Sequence, residues 1–355
     1  MKKINNILVL RFRRIGDAVL SSALCSSLRK TFPDAKIDYV LNAEIAPLFE
    51  NHPDIDRIIT FKSEEMKSSK TYLKKVWSIM HSVKYDIIID TRATVKTMWF
   101  SLFSLSTSYR IGKKKAYNIF VHNHRINLDK KEDEVASTLK LLSPLEKKFE
   151  VCYEPNFKLY VTPEEKETFR KSMIDCGINF SKPVIICAVT ARLTYKAWNM
   201  ERMKQLLQLI INNYDVQLIF NYGGKDEKKS AIDLHKEMNN HSNIFTNIEA
   251  HNLRELAAML ENSNFFFGNE GGPRHISQAF DIPSLAIYPP NIDKEEWLPN
   301  QSEFFQGIEV ADISDKAKNK DLSYSEKFDF IIVETVWQKL KLMLDKYFAD
   351  SKILG

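Results

Sequence analysis

Glycine is scarce in this sequence. The chain has 10 glycines among 355 residues, roughly 3% where about 7% is usual. That scarcity excludes a collagen-like chain, and a hydrophobic fraction of 44% excludes a disordered one because it suffices for a large core. Five of the glycines fall between Gly223 and Gly272, and Gly16 follows the first apolar run directly. These two regions are therefore the first to examine for function.

Cysteines and long apolar runs are also few. The four cysteines are far apart and lack the Cys or His spacing of a zinc site, so we interpret them as free thiols in a reducing compartment. No run approaches the ~18 apolar residues that span a bilayer, and the N-terminus does not resemble a signal peptide. We therefore expect a cytoplasmic protein. Residues 98–105, the nearest to an apolar run, are interpreted as a core helix, with contact to lipid as the alternative.

Acidic residues are under-represented in the first part of the chain. Residues 1–150 contain 27 Lys+Arg and 17 Asp+Glu, a net +10, which leaves 24 against 29, or −5, for residues 151–355. A basic half suits an anionic partner such as nucleic acid, an acidic membrane surface or a phosphorylated substrate. The alternative is an ordinary lysine-rich surface. Nucleic acid is disfavoured because no nucleic-acid-binding motif is present.

Short β-branched runs alternate with amphipathic stretches along most of the chain, a pattern typical of doubly wound parallel sheets. Three prolines within residues 154–183 mark an interdomain connection. We therefore predict an α/β protein with two Rossmann-like domains, residues 1–160 and 161–327, facing a central cleft. Residues 328–355 are predicted to contain a long C-terminal helix over 328–348, for which packing back on the first domain is one option.

The first candidate site lies where the first strand turns into the first helix, at Arg13-Arg14-Ile15-Gly16-Asp17. A carboxylate at a helix N-terminus beside arginines stays ionised and is a candidate general base. The guanidinium groups suit a phosphate or carboxylate. The alternative is that Asp17 only caps the helix.

Two further candidate sites follow strands of the second half. The loop with Thr190 and Lys196 offers a hydroxyl, an ammonium and a helix N-terminus, which together suit a diphosphate. The segment Gly268-Asn-Glu-Gly-Gly-Pro-Arg-His275 places glycines at the start of a helix, where a diphosphate approaches closely. Its Glu270 is a candidate acceptor for sugar hydroxyls. His275 is either a ligand-binding or a structural histidine.

These motifs, in this order and spacing, resemble the ADP-heptose:lipopolysaccharide heptosyltransferase family, glycosyltransferase family nine. The resemblance runs from about residue 4 to residue 300 and includes Tyr222-Gly-Gly224, Arg110-Ile-Gly112 and the segment ending at His275. It implies a GT-B fold and an inverting transfer of a sugar, here expected to be heptose from ADP-heptose, onto a lipopolysaccharide core or related glycan. The acceptor is expected on the N-terminal domain and the nucleotide sugar on the C-terminal one.

The resemblance also implies roles for individual residues. Asp17 matches the proposed catalytic base. The matches to donor-binding positions are Thr190, Lys196, Asp226 or Glu227 for the ribose, Glu270, Gly271, Gly272 and His275. From the basic charge of the first half we assign Arg13, Arg14, Lys96 and Arg110 to an anionic acceptor, with peripheral contact at the cytoplasmic face of the inner membrane as an option.

No metal or cofactor is expected besides the nucleotide-sugar co-substrate. Lys196, Thr190 and two helix N-termini supply positive potential for a departing diphosphate. The one D-x-D, Asp54-Ile-Asp56, lies in an early loop. Alternatives that the sequence leaves open are a transferase for another nucleotide sugar, a sugar-nucleotide epimerase of the same architecture and, less favoured, a nucleic-acid-binding protein.

Overall fold

The computed structural model describes residues 3–128 and 132–353 and divides into two compact units, Met1–Tyr160 and Val161–Gly355. The strands are β1 Asn6–Leu10, β2 Lys36–Asn42, β3 Arg57–Phe61, β4 Ile87–Asp90, β5 Tyr109–Lys113, β6 His124–Ile126, β7 Val184–Ala188, β8 Gln217–Phe220, β9 Ile244–Phe245, β10 Phe265–Asn269, β11 Ser284–Ile287 and β12 Phe305–Ile308. The α-helices are α1 Ile15–Ser21, α2 Ala23–Thr31, α3 Ser63–Lys67, α4 Ser69–Ser82, α5 Val95–Leu102, α6 Glu134–Leu139, α7 Pro163–Asp175, α8 Met200–Asn213, α9 Lys225–Glu237, α10 Leu253–Glu261, α11 Gly272–Ala279, α12 Lys294–Trp297, α13 Tyr324–Phe328 and α14 Val333–Tyr347.

Each unit is built on one six-stranded sheet. The strand orders are β3-β2-β1-β4-β5-β6 and β12-β11-β10-β7-β8-β9, and every strand pair is parallel. Counted from its own first strand, each sheet therefore has the doubly wound order 3-2-1-4-5-6. Ligands of such sheets bind outside the carboxyl ends of the strands where the order reverses. The order reverses between β1 and β4 in the first unit and between β7 and β10 in the second.

The core of the first unit lies on both faces of its sheet. Residues 7–10 of β1 are completely buried, as expected for a central parallel strand covered on both faces. Phe100 of α5 packs edge-on against Phe61, with ring centroids 5.9 Å apart. Phe100 and Ser101 are thus in the core, as the favoured interpretation of residues 98–105 predicted, whereas Leu105 is exposed. Within the described residues, no helix combines the length and apolar character needed to cross a bilayer.

The C-terminal segment is part of the second unit, and its helix is shorter than predicted. The backbone of Ile332 is extended, so α14 begins at Val333 and the predicted helix over 328–348 is interrupted. The buried residues Val336, Leu340 and Leu344 belong to the same core as α8 and the sheet. The apolar face of α14 thus forms part of the core of the second unit.

Two edge strands, β6 and β12, were not predicted. They are three and four residues long. Short edge strands bury little, so they carry no continuous apolar run that could reveal them.

Gly268 in β10 is a position where only glycine fits. Its φ is +132°, and a Cβ there would lie 2.4 Å from the carbonyl oxygen of Ala188 on β7. The central strand pair of the second sheet therefore approaches too closely for any side chain at this point, and the strand ends beyond it are held in a fixed position.

Candidate functional site

In the first unit, polar side chains gather beyond the carboxyl ends of β1 and β4. Asp17 lies in the first turn of α1 and is buried. Its carboxylate accepts a hydrogen bond from Arg11, whose side chain is also buried. The predicted partners, Arg13 and Arg14, are exposed. The residue that holds Asp17 is thus a different arginine from the two adjacent in sequence.

Arg11 is the centre of a small network. Its Nη2 donates to Glu134 Oε1 on α6 at 2.8 Å, and its Nη1 donates to Thr91 Oγ1 after β4 at 3.3 Å. Burial opposes the charge of Arg11, but the nearby carboxylates of Asp17 and Glu134 outweigh it and raise its pKa. The guanidinium therefore stays charged, and it fixes the Asp17 carboxylate in one place.

Asp90, the last residue of β4, is completely buried beside this network. Its Oδ1 accepts from the backbone N–H groups of Arg92 and Ala93, and this shapes the turn that carries Thr91. Burial raises the pKa of Asp90 to about 6 despite hydrogen bonds from Thr97, Ala93 and Arg92. Nε2 of the buried His122 lies 3.6 Å from Oδ2, and burial lowers the pKa of His122 to about 4.

The residues assigned to an acceptor have different hydrogen-bond partners. Arg13 has a left-handed backbone, with φ of 75°, and its N–H donates to Asn42 Oδ1. Lys96 Nζ donates to the carbonyl of Met66 at 2.6 Å. The guanidinium of Arg110 donates to three carbonyl oxygens, those of Leu105, Thr107 and Val121. Arg110 therefore supports a loop, and the acceptor role of all four stays a prediction.

In the second unit, Asn269 ties two of the predicted motifs together. It ends β10, and its Nδ2 donates to the carbonyl of Ala188 at 3.0 Å. Its Oδ1 accepts from the backbone N–H of Trp198 at 2.7 Å. Trp198 is itself buried, with Nε1 donating to the carbonyl of Ile331. The loop that carries Thr190 and Lys196 is thereby fixed beside the end of β10.

Thr190 joins this loop to the end of the neighbouring strand, β8. Its Oγ1 donates to Glu227 Oε2 at 2.8 Å. Glu227 lies in the first turn of α9, which begins after Gly224. Glu227 is half-buried and Asp226 is exposed. Of the two acidic residues proposed for the ribose, Glu227 is therefore the one in contact with another predicted donor residue.

Glu270 follows Asn269 and completes the group. Its Oε1 lies 3.3 Å from Nε2 of the buried His275 on α11. Burial disfavours its charge, but the hydrogen bond with His275 and the positive charges of Arg274 and Lys196 lower its pKa. Glu270, whose side chain is 12% exposed, is therefore an ionised acceptor. His275 contacts a predicted site residue, so it serves to orient Glu270 whatever else it binds.

Gly271 and Gly272 lie at the start of α11, Gly271 as its N-cap and Gly272 as its first residue. A Cβ on Gly271 would meet only Pro273, at 3.8 Å. The helix start thus has little side-chain bulk in front of its backbone. It follows the end of β10 directly, beside Glu270, as the sequence predicted.

Sequence reasoning missed Arg11, Asp90, Glu134 and Asn269. A signal was present for the first two, since each is a charged residue at the end of an otherwise apolar strand, and a buried charge needs partners. Glu134 is far from Arg11 in sequence, so only the folded chain shows their contact.

Two doubly wound sheets with polar residues at their order reversals define an α/β protein of the Rossmann-like type. Comparison with known proteins gives the family. The sequence profile of glycosyltransferase family 9 (heptosyltransferase) matches residues 73–308. The chain belongs to this family and is a glycosyltransferase. This membership does not support the alternatives of an epimerase or a nucleic-acid-binding protein.

Individual relatives agree with the family over most of the chain. Lipopolysaccharide heptosyltransferase 3 of Escherichia coli is 22% identical over 303 residues, which cover 82% of this chain and 86% of that protein. The crystal structure of a family 9 glycosyl transferase from Veillonella parvula has a TM-score of 0.79 at 18% identity, covering 97% of this chain and 99% of that one. The E. coli ADP-heptose lps heptosyltransferase II structure has a TM-score of 0.73 at 18% identity, covering 96% and 99%. The predicted GT-B fold class is confirmed.

The raised pKa of Asp90 predicts how this residue affects stability at different pH values. The folded chain holds the proton more tightly than the unfolded chain, whose carboxyl titrates near 4. The contribution of Asp90 to the free energy of unfolding is therefore most favourable below pH 4, and is lost as pH rises to about 6. Asn at this position keeps an oxygen for the N–H groups of Arg92 and Ala93 but does not titrate.

We expect Asp90→Asn to gain about 2 kcal/mol in the free energy of unfolding relative to the unsubstituted chain between pH 4 and pH 7. Urea unfolding of both proteins over this range measures the difference. A difference that is constant with pH, or that moves in favour of Asp90 as pH rises, contradicts this account of the buried carboxyl.

Proposed function

We propose that this glycosyltransferase transfers heptose from ADP-heptose, with inversion and without a metal, onto a lipopolysaccharide core or related glycan acceptor. The observation that carries the proposal is that the predicted donor-binding residues lie at the ends of three adjacent strands, β10, β7 and β8. Thr190 bonds Glu227, the loop with Lys196 is bonded to the end of β10, and the charge of Lys196 acts on Glu270. The names of the relatives support the substrate class. The first unit is assigned to the acceptor and the second to the nucleotide sugar.

The donor assignment rests on matching chemistry. Lys196 and the start of α11 offer positive potential for a diphosphate. Glu227 and Glu270 are acceptors suited to ribose and sugar hydroxyls. The ionised state of Glu270 favours a hydroxyl neighbour over a phosphate, because two anions in contact would repel each other.

In the proposed reaction, Asp17 takes the proton of an acceptor hydroxyl as that oxygen bonds to the anomeric carbon. The bond from the anomeric carbon to the diphosphate oxygen breaks on the opposite face, and ADP leaves with the bonding electron pair. The salt bridge from Arg11 holds the carboxylate of Asp17 in one place before the reaction. Lys196 and Thr190 are assigned to stabilise the charge that develops on the diphosphate.

Metal independence is supported by the partners of the D-x-D motif. Asp54 accepts a hydrogen bond from Ser26 Oγ at 2.7 Å. Asp56 accepts from Arg29 and from the backbone N–H of Ile37. Both carboxylates are thus engaged in holding the first unit together. Among the residues that the structure describes, no group of three His, Cys, Asp or Glu side chains has the arrangement of a metal site.

The donor assignment predicts a selective gain in thermal stability. Among ADP-, GDP-, UDP- and dTDP-sugars, saturating ADP-heptose is expected to raise the Tm by about 5 °C, because it binds the folded chain alone. Lys196→Ala should weaken this binding about tenfold through loss of a charged phosphate contact. Lys236→Ala, an exposed lysine elsewhere on α9, is the matched control and should bind normally. Failure of every nucleotide sugar to shift the Tm would count against transfer itself.

The role of Asp17 predicts a loss of turnover with donor binding retained. Asp17→Asn keeps the shape of the side chain but removes the proton acceptor, so kcat should fall by about 10²-fold or more. A transfer assay on lipopolysaccharide acceptor measures turnover, and the thermal shift with ADP-heptose measures binding. Glu134→Gln removes the other carboxylate on Arg11 and should lose less than about tenfold. An unchanged rate for Asp17→Asn removes Asp17 from the mechanism.

The absence of a metal from the proposed reaction predicts resistance to chelators. Transfer with excess EDTA should proceed at the same rate as with added Mg²⁺, because protein cations and backbone N–H groups stabilise the leaving diphosphate. The measurement is the initial rate after dialysis against EDTA. Abolition of activity by EDTA, with recovery on adding a divalent cation, is the result that would overturn this part of the proposal.

A further inference from the structure

Exposed apolar side chains are concentrated in one part of the first unit. Among the described residues, fourteen large hydrophobic side chains are exposed, and five of them fall within residues 95–120. These five, which we name the apolar patch, are Val95, Leu105, Tyr117, Ile119 and Phe120. Phe120 is the extreme case at 88% exposure. Clustering of this kind marks an interaction surface, whereas single exposed apolar residues are ordinary.

The loop that carries Tyr117, Ile119 and Phe120 is built to hold them outward. Asn118 between them is completely buried. Its Oδ1 accepts from the backbone N–H of Lys115 at 3.1 Å, and its Nδ2 donates to the carbonyl of Lys113 at 2.9 Å. Nδ2 also lies 3.0 Å from Nδ1 of the buried His122. The exposure of Ile119 and Phe120 is thus a consequence of an internally bonded loop.

Hydrogen bonds connect this loop to the rest of the apolar patch. The hydroxyl of Tyr117 donates to the carbonyl of Ala93 at 2.9 Å, two residues before Val95. Arg110 donates to the carbonyls of both Leu105 and Val121, and so joins the segment before β5 to the loop after it. The loop with Tyr117, Ile119 and Phe120 is thereby held beside the segment that leads into Val95.

The charge around the apolar patch has one sign. Residues 91–128 contain seven Lys and Arg residues and no Asp or Glu. Lys113, Lys114 and Lys115 directly precede the loop, and Lys96 follows Val95. Apolar and aromatic side chains beside lysines are the composition of segments that lie in the boundary between headgroups and acyl chains of anionic membranes.

We propose that the apolar patch and the three lysines dock the protein on the surface of a bilayer containing anionic lipid, with Ile119 and Phe120 entering the headgroup boundary. A second copy of this chain fits less well, because two patches of the same strong positive charge would repel each other. Nucleic acid would satisfy the lysines but not the aliphatic side chains. This inference concerns a partner surface beyond the proposed reaction, and it does not depend on that reaction.

Vesicle flotation of the full chain tests the apolar contribution. The test compares binding to phosphatidylcholine vesicles with binding to vesicles that also contain phosphatidylglycerol. The double variant Ile119→Ser/Phe120→Ser should bind the anionic vesicles at least about tenfold more weakly, because it lacks the two apolar side chains that become buried in the bilayer. Leu342→Ser on α14 removes a comparably exposed side chain, at 74%, and is the matched control that should bind normally.

The lysines are tested by their effect on lipid preference. Changing Lys113, Lys114 and Lys115 to Gln should weaken binding to anionic vesicles by about fivefold for each lysine and leave the weak binding to phosphatidylcholine unchanged. The control changes Lys225, Lys229 and Lys236 to Gln, three exposed lysines on α9. Equal losses in the two triple variants would overturn the assignment of the surface.

Further outcomes distinguish membrane docking from self-association and from misfolding of the variant. Unchanged vesicle binding by the Ile119→Ser/Phe120→Ser variant overturns the proposal, and so does a full chain that ignores anionic vesicles. A loss of oligomers on size exclusion, without a change in vesicle binding, assigns the apolar patch to self-association instead. A Tm and a far-UV circular dichroism spectrum equal to those of the unsubstituted chain show that the variant is folded, whether or not ADP-heptose is the donor. The thermal shift with ADP-heptose is measured separately, so failure of membrane binding is distinguished from failure of the proposed transfer.

Discussion

Each sheet reverses its strand order between two central strands, and this topological constraint decides where chemistry is possible in both units. Chains leaving β1 and β4, or β7 and β10, depart in opposite directions and leave space beyond the carboxyl ends. Residues that end these strands are buried by the sheet but face that space. Arg11 and Asp90 in the first unit and Asn269 in the second occupy such positions. Their polar groups organise the loops that follow.

The two units use this position in opposite electrostatic ways. In the first, a buried cation, Arg11, contacts the carboxylates of Asp17 and Glu134, so that a carboxylate is fixed in position where a proton acceptor is proposed. In the second, a mostly buried carboxylate, Glu270, is stabilised by His275 and by the charge of Lys196. A charge at low exposure is stable only with such partners, and hence each site includes residues whose purpose is to orient another.

Much of the fold was predictable because its signals are local. The buried strand Val184–Ala188 is a continuous apolar run, and Ile87–Asp90 is apolar up to its last residue. The amphipathic stretch that forms α8 is equally visible in the sequence. Prediction failed where the deciding energy is not local. The extended backbone at Ile332 interrupts a pattern that looks helical throughout. The edge strand β12 is defined by pairing with β11 rather than by its own composition.

The sequence by itself determined the alternating architecture, the motif order and the residues with the right chemistry, because spacing and side-chain type are written in the chain. It proposed Asp17, Thr190, Glu270 and the loop glycines as site residues without coordinates. The tertiary structure decided which groups meet: Arg11 rather than Arg13 or Arg14 holds Asp17, Glu227 rather than Asp226 bonds Thr190, and Arg110 supports a loop. The physical reason is that burial and hydrogen bonding depend on contacts between residues far apart in sequence, which local patterns do not encode.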